Sequence, residues 1–291
     1  MKLIKPSFLI KEQEPGLLGI YRQIEYAGRT CYKSSDKITP TSAKEFVDRM
    51  VKSGHHAMLE FGTVYLSFPL LEDWHPDNTD WGKYAHNKYS YLKEYDKPLG
   101  SDVYESRQLV TTNYRTLVEH GWLDDLKYLC EPTEYHEKRV CVKFVTDRGV
   151  ANELVRHRTF SFAQESSRYC NYSKDKFDNG LTFIIPTWSN LEPADHDGVT
   201  AQLDAYQTAD TDLLCSMMNA EFYYLSMVNK DNLKPQEARQ VLPLSTKTEI
   251  NMCGFVSDWK HFFDLRDDSH AHPDMQALVK PLHQEFIKNI E

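Results

Sequence analysis

The sequence predicts an α+β protein in which helices dominate and strands are few. Two observations support this class. Long stretches carry apolar residues at helical spacing, whereas only short runs are rich in β-forming residues. No internal repeat or low-complexity tract interrupts them.

The first part of the chain predicts two helices and a strand. Residues 16–32 carry apolar residues near helical spacing, and residues 41–53 carry an apolar face followed by Gly54, a residue typical of helix ends. Residues 63–68 are rich in β-formers and stop at Pro69, which predicts a strand with a defined end.

Residues 70–138 differ from the rest of the chain in composition, because they are rich in Tyr and Lys. We interpret them as an inserted segment. A helix is predicted from Asp102 to His120, with Ser101 as its N-cap and Gly121 after its end. Strand character resumes at 139–145, and this strand could pair antiparallel with residues 62–68. The sequence therefore predicts one domain over residues 1–291 with an insertion at about 70–138.

The last part predicts further helices around two strands. A helix carrying Val150 and Leu154 delivers Arg156 near its end. The remaining predicted elements are a polar loop at 161–173, strands at 181–186 and 249–256, and helices at 199–228, 235–243, 257–265 and from Pro273 onward.

Composition excludes several classes of protein. Hydrophobic residues make up 41 % of the 291 residues, enough apolar surface for a sizeable core and too much for a disordered chain. No apolar run of about 18 residues is present, so no membrane span is expected. The net charge of −9 disfavours a partner that is a nucleic acid polymer, because such a partner requires a basic surface.

Cysteine usage predicts a reducing compartment. The six cysteines form no C-x-x-C pair, and their scatter fits free thiols. The N-terminus lacks the long apolar core of a signal peptide. We therefore expect a cytoplasmic protein.

Four arginines lie between residues 148 and 168 of this acidic chain, and such clustering is costly unless an anion offsets the repulsion. The stretch from Arg156 to Tyr169 reads RHRTFSFAQESSRY, and its second half offers hydroxyls, backbone N–H groups and Arg168. That set suits a phosphate monoester, which Arg binds bidentately. A solvated basic helix end is the alternative.

This stretch resembles the signature of the flavin-dependent thymidylate synthases, in which Arg-His-Arg is followed after seven residues by Ser, a small residue and Arg-Tyr. Two further blocks match in the family's order. They are Gly54-His55-His56-Ala57-Met58-Leu59-Glu60, and the stretch from Glu237 to Leu244 with Leu265, Arg266 and 268–270. The resemblance covers residues 41–69 and 139–272 and leaves the insertion unmatched.

The resemblance implies an activity and a fold. The family methylates deoxyuridine monophosphate (dUMP) at uracil C5 to give thymidylate (dTMP). The carbon comes from methylenetetrahydrofolate, and FAD reduced by NADPH carries the hydride. The implied fold is a mixed, largely antiparallel sheet flanked by helices. The implied assembly is a homotetramer with its sites at subunit contacts.

The resemblance also implies two sets of site residues. The expected dUMP set is Glu153, Arg156, Gln164, Glu165, Ser166, Ser167, Arg168, Arg239 and Arg266. The expected FAD set is His55, Ala57, Glu60, Arg156, His157, Arg158, Thr159 and His261.

Physical chemistry supports this division. Arg266 is our candidate for stabilising the negative charge that builds on the uracil ring, because an Arg stays charged in a water-poor site. No cysteine nucleophile is needed if hydride and methylene both pass through the flavin. We therefore interpret Cys170 as a packing residue. His157 is expected to be neutral between its arginine neighbours. No metal is expected, since His270-Ala271-His272 has no matching ligands nearby in sequence.

Some positions depart from the family pattern. Ala163 and Gln164 replace the usual Asn and Glu, Glu153 replaces a common Gln, and Phe255-Val256-Ser257 replaces an Asn-x-Arg found in some members. Lys260 or His261 then become candidates for the flavin phosphates. One alternative is a homologue that binds flavin or nucleotide without activity, and the other is an RNA-binding module.

Overall fold

The computed structural model describes residues 1–69, 82–100, 103–205 and 209–290. The strands are β1 (Lys2–Ile4), β2 (Ser7–Lys11), β3 (Thr63–Pro69), β4 (Tyr91–Gly100), β5 (Val103–Asn113), β6 (Arg139–Asp147), β7 (Ser161–Gln164), β8 (Thr182–Ile184) and β9 (Lys247–Phe255). The α-helices are α1 (Gly16–Tyr32), α2 (Ser42–Lys52), α3 (Gly82–Ala85), α4 (Tyr114–His120), α5 (Arg148–Leu154), α6 (His196–Ala205), α7 (Ala209–Asn229), α8 (Pro235–Ala238), α9 (Val256–Arg266) and α10 (Pro273–Asn289). The α+β class is confirmed.

The strands form three sheets rather than one. The central sheet has the order β2-β6-β9-β7 with every pair antiparallel, and β3-β5-β4 form a second antiparallel sheet. β1 and β8 make a parallel pair. The largely antiparallel pairing agrees with the expectation, whereas the division into three sheets does not.

One face of the central sheet is apolar and carries the largest core. Phe144 of β6 and Ile250 and Met252 of β9 are fully buried there, packed with Trp259 of α9 and Phe286 of α10. The indole N–H of Trp259 donates to the carbonyl of Val140 over 3.1 Å. This core holds α9 against the sheet, and α9 ends at Arg266.

The opposite face of the central sheet is partly polar and lies under α1. By strand alternation it carries Lys143 on β6 with Lys247 and Glu249 on β9. Cys141 and Cys253 are directly paired on this face and form a disulfide. The expectation of six free thiols is therefore wrong for this pair, because the register of two distant strands brings the sulfurs together. Cys31, Cys130, Cys170 and Cys215 are free.

Most predicted elements are confirmed within one or two residues, and the errors lie where pairing decides the outcome. The helix predicted over 102–120 is a strand up to Asn113, because β5 pairs on both sides, with β3 and with β4. The α4 N-cap is Asn113, whose side chain accepts from the N–H of Thr116, and the suggested cap Ser101 lies outside the described residues. Gly121 does cap the end of α4 with φ of 71°.

Two other expectations are wrong. β6 pairs with β2 and β9, and β3 pairs with β5 instead. The polar loop begins with strand β7, since residues 161–164 complete the sheet against β9. The helix predicted over 199–228 is confirmed within α6 and α7, and residues 206–208 lie outside the described residues.

The inserted segment contributes the β4–β5 hairpin and α4, while residues 70–81 lie outside the described part of the chain. Pairing of β5 with β3 joins the segment to the preceding chain. The single-domain assignment stays a prediction. Among the described helices, none combines the length and the apolar character needed to cross a membrane.

Candidate active site

The end of α9 meets the end of α5 through Arg266. The Nε of Arg266 donates to Nε2 of His157 over 2.9 Å, and one terminal nitrogen donates to the Glu153 carboxylate over 2.9 Å. The other terminal nitrogen donates to the Glu153 carbonyl over 3.4 Å. Two elements separated by more than 100 residues thus place a guanidinium, an imidazole and a carboxylate in direct contact.

His157 is held as a neutral acceptor. A guanidinium can only donate, so Nε2 of His157 must carry the lone pair and the ring proton must sit on Nδ1. Burial, the charge of Arg266 and the neighbouring His261 lower the pKa of His157 to about 4. The imidazole edge packs against Phe262, with ring centroids 4.9 Å apart. The expected neutral His157 is supported by this geometry.

The second half of the signature, residues 165–169, forms a loop that we call the signature loop. Its serines belong to a second group of site residues. Ser167 accepts from the guanidinium of Arg239 over 3.4 Å, although the two residues are 72 positions apart. The Ser166 hydroxyl accepts from the backbone N–H of Arg168 over 3.3 Å, and the Ser166 N–H donates to the carbonyl of Cys31. The Arg168 side chain is exposed and lies over the ring of Tyr169. The group offers hydroxyls and guanidinium N–H groups to an anion.

Gln164 and Glu165 point to opposite faces of the central sheet. The Gln164 amide donates to the hydroxyl of Thr248 over 3.3 Å. Glu165 is buried, accepting from Lys247 over 2.7 Å and from the Tyr172 hydroxyl over 3.0 Å. Glu165 therefore anchors the loop on which the serines lie.

Lys247 links this anchor to a buried ionic cluster around Glu249. Lys247 also donates to Glu249 over 2.8 Å, Lys143 does so over 2.6 Å, and Lys33 completes the cluster. Burial alone would raise the pKa of Glu249, but the three lysines hold it well below its usual range. The cluster fixes the charged face of the sheet directly behind the signature loop.

The Gly-His block forms a 3-10 helix, His56–Phe61, packed against β7. His55 and Ala57 are exposed, whereas the Glu60 carboxylate accepts from Arg115 of α4 over 2.5 Å. Arg115 also donates to Glu119 over 2.9 Å. The inserted segment is thus tied to this block by an ion pair.

The other expected flavin residues lie on the surface beyond α5. Arg156, Arg158 and Thr159 are exposed, as is His261 on α9. Within the described residues, neither Arg156 nor Arg158 has an ion-pair partner. Two unneutralised guanidinium groups in an acidic protein fit the anionic diphosphate of FAD.

The structure therefore brings together some of the predicted residues and separates others. Arg266, His157 and Glu153 are in contact, and Arg239 meets Ser167. In the part of the chain that is described, no hydrogen bond or ion pair joins these two groups, nor joins either of them to Glu60. Assignment of the two sets to dUMP and FAD stays a prediction.

Sequence reasoning missed residues that support the site, among them Tyr172, Lys247, Glu249 and Arg115. A signal existed for two of them. Lys247 and Glu249 are opposite charges two positions apart where the predicted strand begins, a spacing that places two side chains on one face of an extended segment. No comparable sequence signal links Arg115 to Glu60.

The expected residues lie away from a cavity beside β2. This cavity of about 860 Å³ is lined by β2, the start of α1, β6 and the end of α10, and none of the predicted site residues borders it.

The histidines weighed above as metal ligands lie at the surface, where His270 pairs with Asp268 over 2.7 Å. Across the described residues, no group of three or more potential ligands is arranged to hold a metal ion.

The fold is α+β, and two groups of predicted site residues are assembled in it: Arg266 with His157 and Glu153, and Arg239 with Ser167. Residues 136–290, just over half of the chain, match the Thy1 family, described as thymidylate synthase complementing proteins. The chain belongs to this family.

Relatives agree with that assignment. The chain is 30 % identical over 132 residues to a flavin-dependent thymidylate synthase of Mycobacterium avium, covering 45 % of this chain and 50 % of the relative. It is 32 % identical over 136 residues to that of Mycolicibacterium gilvum, with the same coverage. The chain thus spans about half the length of the curated relatives it matches.

Solved structures with similar architecture are more distant. Thymidylate synthase X of Helicobacter pylori with FAD and dUMP aligns at 15 % identity and a TM-score of 0.40, over 96 % of this chain and 92 % of that one. The UMP/dUMP methylase PolB of Streptomyces cacaoi, bound with 5-Br dUMP, aligns at 14 % identity and a TM-score of 0.44, over 99 % and 93 %. Such values are too low for a comparison of sites, so the family assignment depends on the sequence match.

Proposed function

We propose that this protein is a flavin-dependent thymidylate synthase, a methyltransferase that converts dUMP to dTMP. Methylenetetrahydrofolate is the carbon donor, and NADPH is the reductant of the FAD. The observation that carries the proposal is the contact of Arg266 with His157 and Glu153, because it unites the family signature with a distant arginine.

Arg266 has the chemistry that the pyrimidine step needs. Three of its five N–H groups bond to His157 and Glu153, which leaves two for a ligand. Directed at the uracil carbonyl oxygens, they would stabilise the negative charge that develops as C5 attacks an electrophile.

The phosphate of dUMP would be held by the second group. Ser166, Ser167, Arg168 and Arg239 combine hydroxyl and guanidinium donors, which suits a phosphate monoester. Gln164, Arg156, Glu153 and Glu165 complete the proposed nucleotide set, with Glu153 acting through its bond to Arg266 and Glu165 acting from its buried position through the loop.

FAD would lie along the exposed side of α5 and the Gly-His block. Arg156, Arg158 and Thr159 would hold its anionic part, with His55, Ala57, Glu60, His157 and His261 beside it. Bound FAD supplies the hydride that completes the methyl group. Exposure of Arg156 and Arg158 supports this placement, because a bound diphosphate would offset their repulsion.

A cysteine nucleophile has little support. Burial and the nearby Glu165 raise the pKa of Cys170 to about 12, which keeps its thiol protonated. Cys141 and Cys253 are bonded to each other. Both facts support a route through flavin rather than through a thiolate.

We further propose a cytoplasmic homotetramer whose sites form at subunit contacts. The Cys141–Cys253 disulfide, a kind of bond that is rare in the cytoplasm, opposes this location. Leu265, next to Arg266, is 49 % exposed. Another subunit seated against the candidate site would cover this apolar side chain. Sedimentation velocity of the purified protein tests the assembly, and a monomeric species at assay concentrations contradicts it.

The activity is tested with purified protein, FAD, NADPH, methylenetetrahydrofolate and dUMP. We expect an oxidised-flavin absorption spectrum, bleaching by NADPH and dTMP detected by chromatography. A protein that takes up no FAD overturns the proposal. A protein that holds stoichiometric FAD yet forms no dTMP is instead the inactive homologue.

Arg266→Lys separates the roles of the two sets. We expect turnover to fall by about 100-fold or more because the planar fork is lost, while FAD retention changes little. Flavin content measured after desalting provides the comparison. Equal loss of turnover and flavin contradicts the role of Arg266.

A further inference from the structure

Glu153 is an unexpected neighbour for a nucleotide. Its carboxylate would repel the phosphate of dUMP if the two met directly. In the structure that carboxylate is directed at Arg266, and the two side chains are 35 % and 20 % exposed. Its negative charge is therefore offset within the protein.

The contacts hold the guanidinium at three of its nitrogens. Glu153 accepts from both terminal nitrogens, one through its carboxylate and one through its backbone carbonyl, while His157 accepts from Nε. A planar group bound at three points cannot rotate about its long side chain without breaking at least one hydrogen bond. The orientation of Arg266 is thus set before any ligand binds.

We propose that Glu153 is a positioning residue that acts through Arg266 and does not contact the nucleotide. This inference rests on the proposed function of Arg266. Glu153 keeps the guanidinium of Arg266 turned away from the dUMP phosphate, which is left to Arg239 and Arg168. The two remaining N–H groups of Arg266 then face the reacting ring.

The mechanism predicts a separation of turnover from binding. Without the carboxylate, Arg266 gains freedom to swing toward the phosphate of dUMP. Ground-state affinity is then kept or slightly increased, while the charge that develops on the ring loses its stabilising partner. A direct contact of Glu153 with the nucleotide would weaken binding and turnover together.

The test compares Glu153→Ala and Glu153→Gln with the matched control Asn152→Ala, an exposed neighbour on α5. We expect Glu153→Ala to lower kcat by about 30-fold and to change the dUMP dissociation constant by less than about 3-fold. Glu153→Gln keeps an acceptor oxygen for Arg266 and should retain kcat within about 5-fold. The control should match the wild type.

A double-mutant cycle completes the experiment. Glu153→Ala/Arg266→Ala should be no slower than Arg266→Ala alone, because Glu153 has nothing left to position. Additive losses overturn the inference, as does a dUMP dissociation constant that rises in parallel with the loss of kcat. If the wild type neither binds dUMP nor forms dTMP, the proposed function itself has failed. Circular dichroism melts of each variant confirm that the proteins compared are folded.

Discussion

The two faces of the central sheet bury different kinds of side chain: one face is apolar, and the other carries a cluster of charged residues. On one face, Phe144 and Ile250 pack against Trp259 through apolar contacts, to which the indole N–H adds one hydrogen bond to Val140. On the other, Lys143 and Lys247 surround Glu249, and each charge needs a partner at a defined place. The apolar face supplies stability, whereas the charged face specifies where the signature loop lies, since Glu165 of that loop is bound by Lys247.

The largest expected effect is on the apolar face. Trp259→Ala should lower the free energy of unfolding by about 4 kcal/mol, because it removes a fully buried ring and leaves a cavity. Urea unfolding measures the loss. Trp259→Phe is the control, since it keeps most of the packing and loses only the bond to Val140. A loss below about 2 kcal/mol for the alanine variant would contradict this ranking of the faces.

Next in size is the cross-strand bond on the charged face. The Cys141–Cys253 disulfide joins strands 112 residues apart, so its reduction should cost about 3 kcal/mol. Unfolding with and without reductant gives the value, and Cys215→Ser, at an exposed free thiol, serves as control. Thiol titration of the denatured, unreduced protein should find four reactive groups, and six would exclude the bond.

Removing the charge at the centre of the cluster should have a smaller effect. Glu249→Gln should cost about 2 kcal/mol at pH 7, less than a fully buried pair, because Lys33 and Lys143 are partly exposed. Lysines hold the native pKa of Glu249 below its usual range, so its contribution is present above about pH 4.3 and is lost as pH falls below that value. The difference from wild type should therefore shrink in acid. A constant difference would argue against an ionic origin.

The smallest effect concerns His157 at the edge of the apolar core. Its native pKa of about 4 lies below the ordinary value of 6.5. Between these values the unfolded state binds the proton and the native state does not, so stability falls as pH drops through this window. We expect a loss of about 1 kcal/mol between pH 7 and about pH 5.7 that is absent in His157→Asn. Thermal melts across pH 4–7 measure it, and parallel curves would refute the neutral histidine.

Local signals predicted much of the fold. The apolar spacing in α1 and the proline at the start of α10 predicted those helices, and Pro69 predicted the end of β3. Strand partners were not predictable, because β-rich runs do not encode which other run they meet. β5 shows the same limit, since its pairing on both sides overrides the helix assigned to it.

In the candidate site too, the residues of a local motif were predictable from sequence, whereas contacts between distant residues were not. The spaced signature from Arg156 to Tyr169 is local, so its residues were identified from sequence. The hydrogen bonds of Arg266 to Glu153, 113 residues apart, and of Arg115 to Glu60, depend on tertiary packing and were not. The disulfide was missed for this reason too, because only the register of β6 against β9 pairs its two cysteines.

The position of β9 has a consequence for biosynthesis. β9 lies between β6 and β7 in the central sheet, yet it is made long after both. Until residue 255 has left the ribosome, β6 lacks a partner along one edge, and Phe144 faces water. A nascent chain in that state exposes both a strand edge and aromatic surface, the combination that recruits chaperones and favours aggregation. Emergence of residues 247–255, rather than emergence of the first half of the chain, then sets the moment at which the central sheet closes.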